Sequence, residues 1–118
     1  MSKKNPLASK SYDFALNIIQ LYKKLNKEKR EYILSKQLLR SGTSIGANIS
    51  EANGAISKAD FSAKISISYK ESLETKYWLS LLKDSDYLSV EEADRLIENA
   101  DELSKIMFSI LKTTRMNK

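Results

Sequence analysis

The spacing of the apolar residues restricts this chain to a helical fold. Between Ala93 and Leu111 apolar residues recur every three or four positions, which lines one face of an α-helix. Three earlier segments repeat the pattern less regularly, and turn or capping signals separate the segments. The sequence therefore predicts four helices, at about 8–25, 27–53, 58–84 and 90–113.

Capping signals mark the starts of the later helices. Asn26 is the predicted N-cap of the second helix, and Ser57, three residues before an acidic residue, that of the third. Ser89 opens the fourth with a capping box. Because the connections are short, the chain is predicted to be all-α, an up-down-up-down antiparallel four-helix bundle forming one domain over residues 1–118.

Composition removes most familiar catalytic chemistry. The 118 residues contain neither Cys nor His, which excludes disulfides, Ser-His-Asp and Cys-His arrangements, and the Glu-x-x-His pairs that bind metals in helical bundles. Glu71 and Glu74 remain as acid–base candidates, although carboxylates three residues apart on a helix usually serve structure. We predict a non-enzyme with no catalytic residue, metal or cofactor.

The start of the chain gives no sign of export or membrane insertion. Basic residues near Met1 are not followed by an apolar segment, and no apolar run approaches the roughly 18 residues of a membrane span. The sequence predicts a soluble, cytoplasmic protein without a membrane partner.

The segment Ser41–Ala55 is unusual because nearly all its residues are small or polar. It lacks the glycine pattern of a phosphate-binding loop, and no strand precedes it. An ordinary loop is the second alternative. The third is a helix in which Gly42 and Gly46 let a neighbouring backbone approach closely, and we favour it because Ile45 continues the helical phase of Leu38.

Polar residues on the second helix form a stripe away from Leu38. The stripe is either solvated surface or part of a network in which Arg40 pairs with Glu71 or Glu74 of the third helix, and the spacing leaves both open. The third helix has apolar residues, Trp78 among them, on two sides. Since a bundle buries one face per helix, this predicts self-association through the third helix, with Trp78 in the interface.

Several motifs resemble a known family. They are Ser35–Ile49, Ser57–Phe61, Lys70-Glu71 and Glu74–Leu79, and the likeness extends from Lys10 to Thr114. The chain resembles the bacterial four-helix bundle proteins named for intervening sequences in 23S ribosomal RNA genes. Members of that family have no settled biochemical function. A similar fold occurs in the accessory protein of diversity-generating retroelements, which binds nucleic acid and a reverse transcriptase.

The resemblance implies a ring-like homo-oligomer, a pentamer of four-helix protomers. It also favours the network over a solvated stripe, because the family's polar positions fall on residues of the second and third helices. With Trp78, the predicted interface or structural network comprises Arg40, Ser44, Asn48, Glu51, Glu71, Glu74 and Trp78. Relatives tend to carry Ala where this chain has Ser68 and Ser72.

Positive charge is concentrated in the first third of the chain. Residues 1–40 hold ten of the twenty Lys and Arg but three of the fifteen Asp and Glu, within a net charge of +5. An up-down bundle would gather basic residues at the end that carries both termini, where they either bind phosphates or merely confer solubility. The predicted nucleic-acid-binding set is Lys3, Lys4, Lys10, Lys58, Lys64, Lys112, Arg115 and Lys118.

Two functions follow from these patterns. The leading hypothesis is an oligomeric accessory protein that binds nucleic acid, RNA or DNA, at this basic end. The alternative is an interaction scaffold whose client is a protein.

Overall fold

The computed structural model describes residues 5–116, with side chains as far as Thr114. Four helices account for most of this range: α1 (Pro6–Lys29), α2 (Leu34–Ala52), α3 (Lys58–Asp84) and α4 (Val90–Met116). The described residues contain no strand, so the predicted all-α class is confirmed. The ring-like oligomer stays a prediction.

Neighbouring helices in the chain are also neighbours in space. α2 packs against α1 and α3, and α4 packs against α3. Of the adjacent pairs, α1 and α4 are the most loosely packed. Within the described residues, the Cα atoms of the diagonal pairs α1/α3 and α2/α4 stay more than 8 Å apart. The helices therefore form the four corners of a bundle measuring 47 × 27 × 21 Å.

The core is a column of aliphatic side chains along the bundle axis. Ile18, Leu38, Ile45, Leu79 and Met107 are completely inaccessible to solvent. These residues carry the periodicity read from the sequence, and their removal from water is the main driving force for folding. The capping predictions for α3 and α4 are confirmed, since Ser57 Oγ accepts from Asp60 N at 3.0 Å and Ser89 Oγ from Glu92 N at 3.1 Å.

The predicted boundary between the first two helices is wrong. α1 continues to Lys29, past Asn26, whose side chain accepts a hydrogen bond from Ser35 Oγ at 3.2 Å. The chain reverses at Arg30, which has a left-handed conformation with φ 53°, and Glu31 N donates to Leu25 O at 3.1 Å. Glu31, not Asn26, then caps α2: its carboxylate accepts the backbone N–H of Ile33, Leu34 and Ser35.

Arg30→Gly is expected to stabilise the protein by roughly 0.5–1 kcal/mol. The left-handed conformation costs a non-glycine residue about 1–2 kcal/mol, and the greater freedom of glycine in the unfolded chain offsets part of that gain. Urea denaturation measures the difference. Lys29→Gly, one residue earlier and still within α1, is the control and should destabilise; an equal effect at both positions would contradict this account.

The small-residue segment is helical as far as Ala52, so the phosphate-loop and ordinary-loop alternatives are wrong. α2 runs through Gly42 and Gly46, and both glycines face α1. A Cβ at position 42 would lie 3.0 Å from Cγ1 and Cγ2 of Ile18, and one at position 46 would lie 3.4 Å from Ser11 O. The glycines therefore permit the close packing of α1 on α2.

Three hydroxyl side chains lie on the buried face of α3, between Ile65 and Leu79. Ser68 Oγ donates to Ile45 O at 2.8 Å, Thr75 Oγ1 donates to Ser41 Oγ at 3.1 Å, and Ser72 Oγ lies 2.7 Å from Ser104 Oγ. These three buried hydroxyls thus have partners, as burial requires. Small residues occupy the middle of this inner face, and large apolar side chains such as Leu73 and Tyr77 lie elsewhere on the helix.

Candidate functional site

Arg40 lies at the centre of a polar cluster between α2 and α3. Its guanidinium forms an ion pair with Glu74 Oε2, and its Nη1 lies 3.5 Å from Glu71 Oε1. Trp78 Nε1 donates to the same Glu74 oxygen at 2.9 Å. We call these four residues the Arg40 cluster. Arg40 is about half exposed, with 49% of its side chain accessible, so the cluster aligns two helices at the surface.

The other predicted members of the network lie outside this cluster. Ser44 Oγ donates to Arg40 O at 2.6 Å and Asn48 Nδ2 to Ser44 O at 2.9 Å, so both side chains bond to their own helix. Glu51 forms a separate ion pair with Lys64 Nζ at 2.8 Å. Of the seven predicted residues, the structure therefore brings together the four of the Arg40 cluster. Ser44, Asn48 and Glu51 make separate contacts.

Burial, and then the charge of Glu74, raises the pKa of Glu71, while Arg40 opposes the shift. Among the described residues no group donates a hydrogen bond to Glu71 Oε1, although Arg40 Nη1 lies 3.5 Å from it. The charged carboxylate is therefore incompletely compensated. Its protonated form is relatively favoured in the folded state.

This shift predicts a pH-dependent difference between the wild type and Glu71→Gln. Because the pKa of Glu71 is higher in the folded protein than in the unfolded chain, its carboxyl group contributes to folding stability. This contribution is complete below the ordinary pKa of 4.5 and is lost as the pH rises through the pKa of the folded protein. The glutamine keeps a neutral side chain throughout. The stability of the wild type relative to Glu71→Gln should therefore fall as pH rises from below 4.5, measured by urea denaturation. A constant difference would contradict the assignment.

The basic end of the bundle carries fewer unpaired charges than the sequence indicates. Lys10 pairs with Glu102 at 2.9 Å and Lys64 with Glu51 at 2.8 Å. Lys58 and Lys112 are exposed and form no ion pair with a described residue. Three predicted lysines, Lys3, Lys4 and Lys118, and the side chain of Arg115 lie outside the described part.

A cleft of about 1080 Å³ lies at this end, between the α2–α3 connection and the last turns of α4. Lys58 borders it, together with Phe61 and Thr113. Ile56, at its edge, is 93% exposed. The shared cleft shows that the start of α3 and the end of α4 meet, as the predicted topology requires.

Two exposed apolar faces are the features that sequence reasoning partly missed. The first, the α1–α2 face, consists of Tyr12 and Leu16 on α1 beside a groove of small residues. That groove has a volume of about 410 Å³ and includes Ala15, Gly46, Ala47 and Ser50. Tyr12 is 66% exposed. In the sequence, this face is indicated by the helical spacing of Tyr12, Leu16 and Ile19, which forms a second apolar stripe on α1.

The second, the α3–α4 face, consists of Tyr69, Leu73 and Tyr77 on α3 with Phe108 on α4. The rings of Tyr69 and Phe108 pack with their centroids 5.9 Å apart. Leu73, Tyr77 and Phe108 are all substantially exposed. Trp78 is partly buried against its own core and contacts Tyr77 edge to face, so its place in an oligomer interface stays a prediction.

The sequence from residue 3 to 109 matches the family model described as 23S rRNA-intervening sequence protein. The chain belongs to this family. The resemblance noted in its motifs is thereby confirmed.

A solved structure extends the comparison. This chain is similar to the crystal structure of a protein of unknown function from the S23 ribosomal protein family of Bacteroides thetaiotaomicron, with 47% sequence identity and a TM-score of 0.89. The match covers 90% of this chain and 98% of the other. No curated protein matches.

Two further observations bear on the range of functions. None of the helices in the described range combines the length and apolarity needed to cross a bilayer. Over the same residues, no group of three or more acidic side chains is arranged as a metal site.

Proposed function

We propose that this protein is a non-catalytic, cytoplasmic accessory protein that self-associates, into a pentamer as its family resemblance implies, and binds RNA through the basic end of the bundle. The observation that supports self-association is the exposure of large apolar side chains on two pairs of helices. In an isolated bundle, the large side chains of two apolar faces stay exposed to water, and exposed apolar patches of this kind mark interaction surfaces. These side chains are Tyr12, Leu73, Tyr77 and Phe108. The absence of His and Cys from the sequence supports a role without catalysis.

RNA binding rests on charge. The chain has a pI near 9.3, and Lys58 and Lys112 sit at one end without acidic partners among the described residues. Self-association in a ring with parallel axes would place several copies of this end side by side, so that a few lysines per chain become a larger positive surface. Such a surface attracts phosphate backbones with little sequence preference and strong salt dependence.

The test compares two double variants with equal changes in charge. Lys58→Glu/Lys112→Glu reverses the basic end, whereas Lys27→Glu/Lys29→Glu reverses two exposed lysines at the opposite end of the bundle. We expect the first to weaken binding to a structured RNA about tenfold or more at low salt, and the second to have a much smaller effect. Fluorescence anisotropy at two salt concentrations measures both.

Equal weakening by the two variants would contradict the proposed location, because it would mean that only net charge matters. Wild-type affinity no better than that of either variant would reject RNA binding. Capture of a specific protein without RNA from the native host would favour the scaffold alternative.

A further inference from the structure

The cleft between the α2–α3 connection and the last turns of α4, which we call the terminal cleft, has the size and lining of a small-molecule site. Its volume of about 1080 Å³ is near the upper limit for such sites, which is roughly 1,000 Å³. Ile56, Phe61 and three alanines give it apolar walls, and several hydroxyl groups lie among them. A flat organic ligand needs this combination, because apolar walls cover its faces and polar groups bind its edges.

Two of the apolar residues in this lining are incompletely covered by the bundle. Ile56 is 93% exposed. Phe61 packs against the core but is only partly buried, so that part of its side chain is available to a ligand in the cleft. An aromatic ring beside an exposed aliphatic side chain is a surface on which a nucleobase can stack.

The charge around the terminal cleft suits a ligand that carries phosphate. Lys58 lines the cleft, and Lys112 precedes Thr113, another lining residue. Neither lysine forms an ion pair with a described residue, and no described acidic residue lines the cleft. The nearby carboxylate of Asp60 accepts the backbone N–H of Ile56 at 3.3 Å. A phosphate beside Lys58 would therefore meet positive charge at the cleft without an acid in its wall.

The lining also contains a hydroxyl group that lacks a hydrogen-bond partner. Ser62 lines the cleft, and its Oγ is buried and unpaired among the described residues. A buried hydroxyl without a partner destabilises the state that contains it. A nucleobase has donors and acceptors along its edges and can supply the missing partner when the serine side chain turns towards the cleft.

We propose that the terminal cleft receives an unpaired base of the RNA, with Phe61 and Ile56 against the base and Lys58 beside the adjoining phosphate. This inference rests on the proposed RNA binding and specifies the part of the RNA that is recognised. In a duplex the bases are stacked and paired, so they cannot enter the cleft. The ligand is therefore a bulge, a loop or an unpaired end.

The test uses two blunt-ended RNA duplexes with equal numbers of phosphates, one fully paired and one with a bulge of three unpaired nucleotides. Ile56→Ser removes an exposed apolar wall without changing charge, and Phe61→Leu removes the aromatic ring. Ile33→Ser is the matched control, the same substitution at a position that is 76% exposed at the other end of α2. Circular dichroism verifies folding. If Phe61→Leu is unfolded, Ile56→Ser decides alone, because its side chain is almost fully in solvent.

Fluorescence anisotropy at low salt should show that the wild type and Ile33→Ser bind the bulged duplex about tenfold more tightly than the paired one. Ile56→Ser and Phe61→Leu should keep the affinity for the paired duplex and lose most of this preference. Equal binding of both duplexes by the wild type, or an unchanged preference in Ile56→Ser, would overturn the cleft site while leaving RNA binding at the basic end intact.

Light scattering on Ile56→Ser distinguishes another occupant of the cleft. A changed molar mass together with an unchanged preference would overturn the inference and assign the cleft to a second copy of the chain. A wild type that binds neither duplex at low salt would instead reject the proposed function itself.

Discussion

Replacing Glu31 with alanine is expected to lower the free energy of unfolding by on the order of 3 kcal/mol. Glu31 is only 8% exposed, and its carboxylate accepts three backbone N–H groups at the start of α2, at 3.1 Å from Ile33, 2.9 Å from Leu34 and 2.7 Å from Ser35. These are donors that a helix cannot satisfy internally. Alanine leaves the buried Ser35 N–H without its acceptor and removes a negative charge from the positive end of the helix dipole.

Glu31→Gln separates these contributions. The amide oxygen still accepts hydrogen bonds but carries no charge, so its cost should be intermediate, about 1 kcal/mol. Urea denaturation of the two variants and the wild type at neutral pH gives both values. A loss below about 1 kcal/mol for Glu31→Ala would mean that α2 does not depend on this cap.

Gly42→Ala is expected to destabilise the protein by up to about 2 kcal/mol, even though alanine is the better helix former by about 1 kcal/mol. The new methyl group would lie 3.0 Å from two carbon atoms of Ile18, a side chain with no solvent exposure and therefore little freedom to move. Overpacking of this kind typically costs about 1–3 kcal/mol. The clash should outweigh the gain in helix propensity.

Gly46→Ala is the matched control on the same helix. Its added Cβ would meet Ser11 O at 3.4 Å, which is close to ordinary contact, so the propensity gain should leave this variant as stable as the wild type or slightly more so. In an Ile18→Ala background the penalty of Gly42→Ala should vanish, which a double-mutant cycle detects. Equal effects at positions 42 and 46 would contradict the proposed role of Gly42.

The fold was predictable because its signals are local. Periodicity located all four helices, and Ser57 and Ser89 marked two starts that the structure confirms. The α1–α2 boundary failed because Asn26 is a good capping residue, whereas Glu31 caps α2 through a long side chain that folds back over three amides. Spacing alone does not reveal that conformation.

The candidate sites were less predictable because they depend on contacts between helices. The sequence placed Arg40 opposite Glu71 and Glu74 only as one of two alternatives, and the structure contains both contacts. The sequence analysis predicted that Lys10 and Lys64 bind phosphates, yet each forms an ion pair with a glutamate of another helix. The second side of α3 was recognised, but the groove opposite it depends on how α1 packs against Gly46, which no pattern within one helix contains.

The central claim, that this bundle works as an assembly of identical copies, is tested most directly by the molar mass of the wild-type protein in solution. Sedimentation equilibrium over a wide range of concentrations should give a defined multiple of 13.4 kDa that persists on dilution. A mass of 13.4 kDa at every concentration would contradict the claim and leave the two exposed apolar faces to other partners.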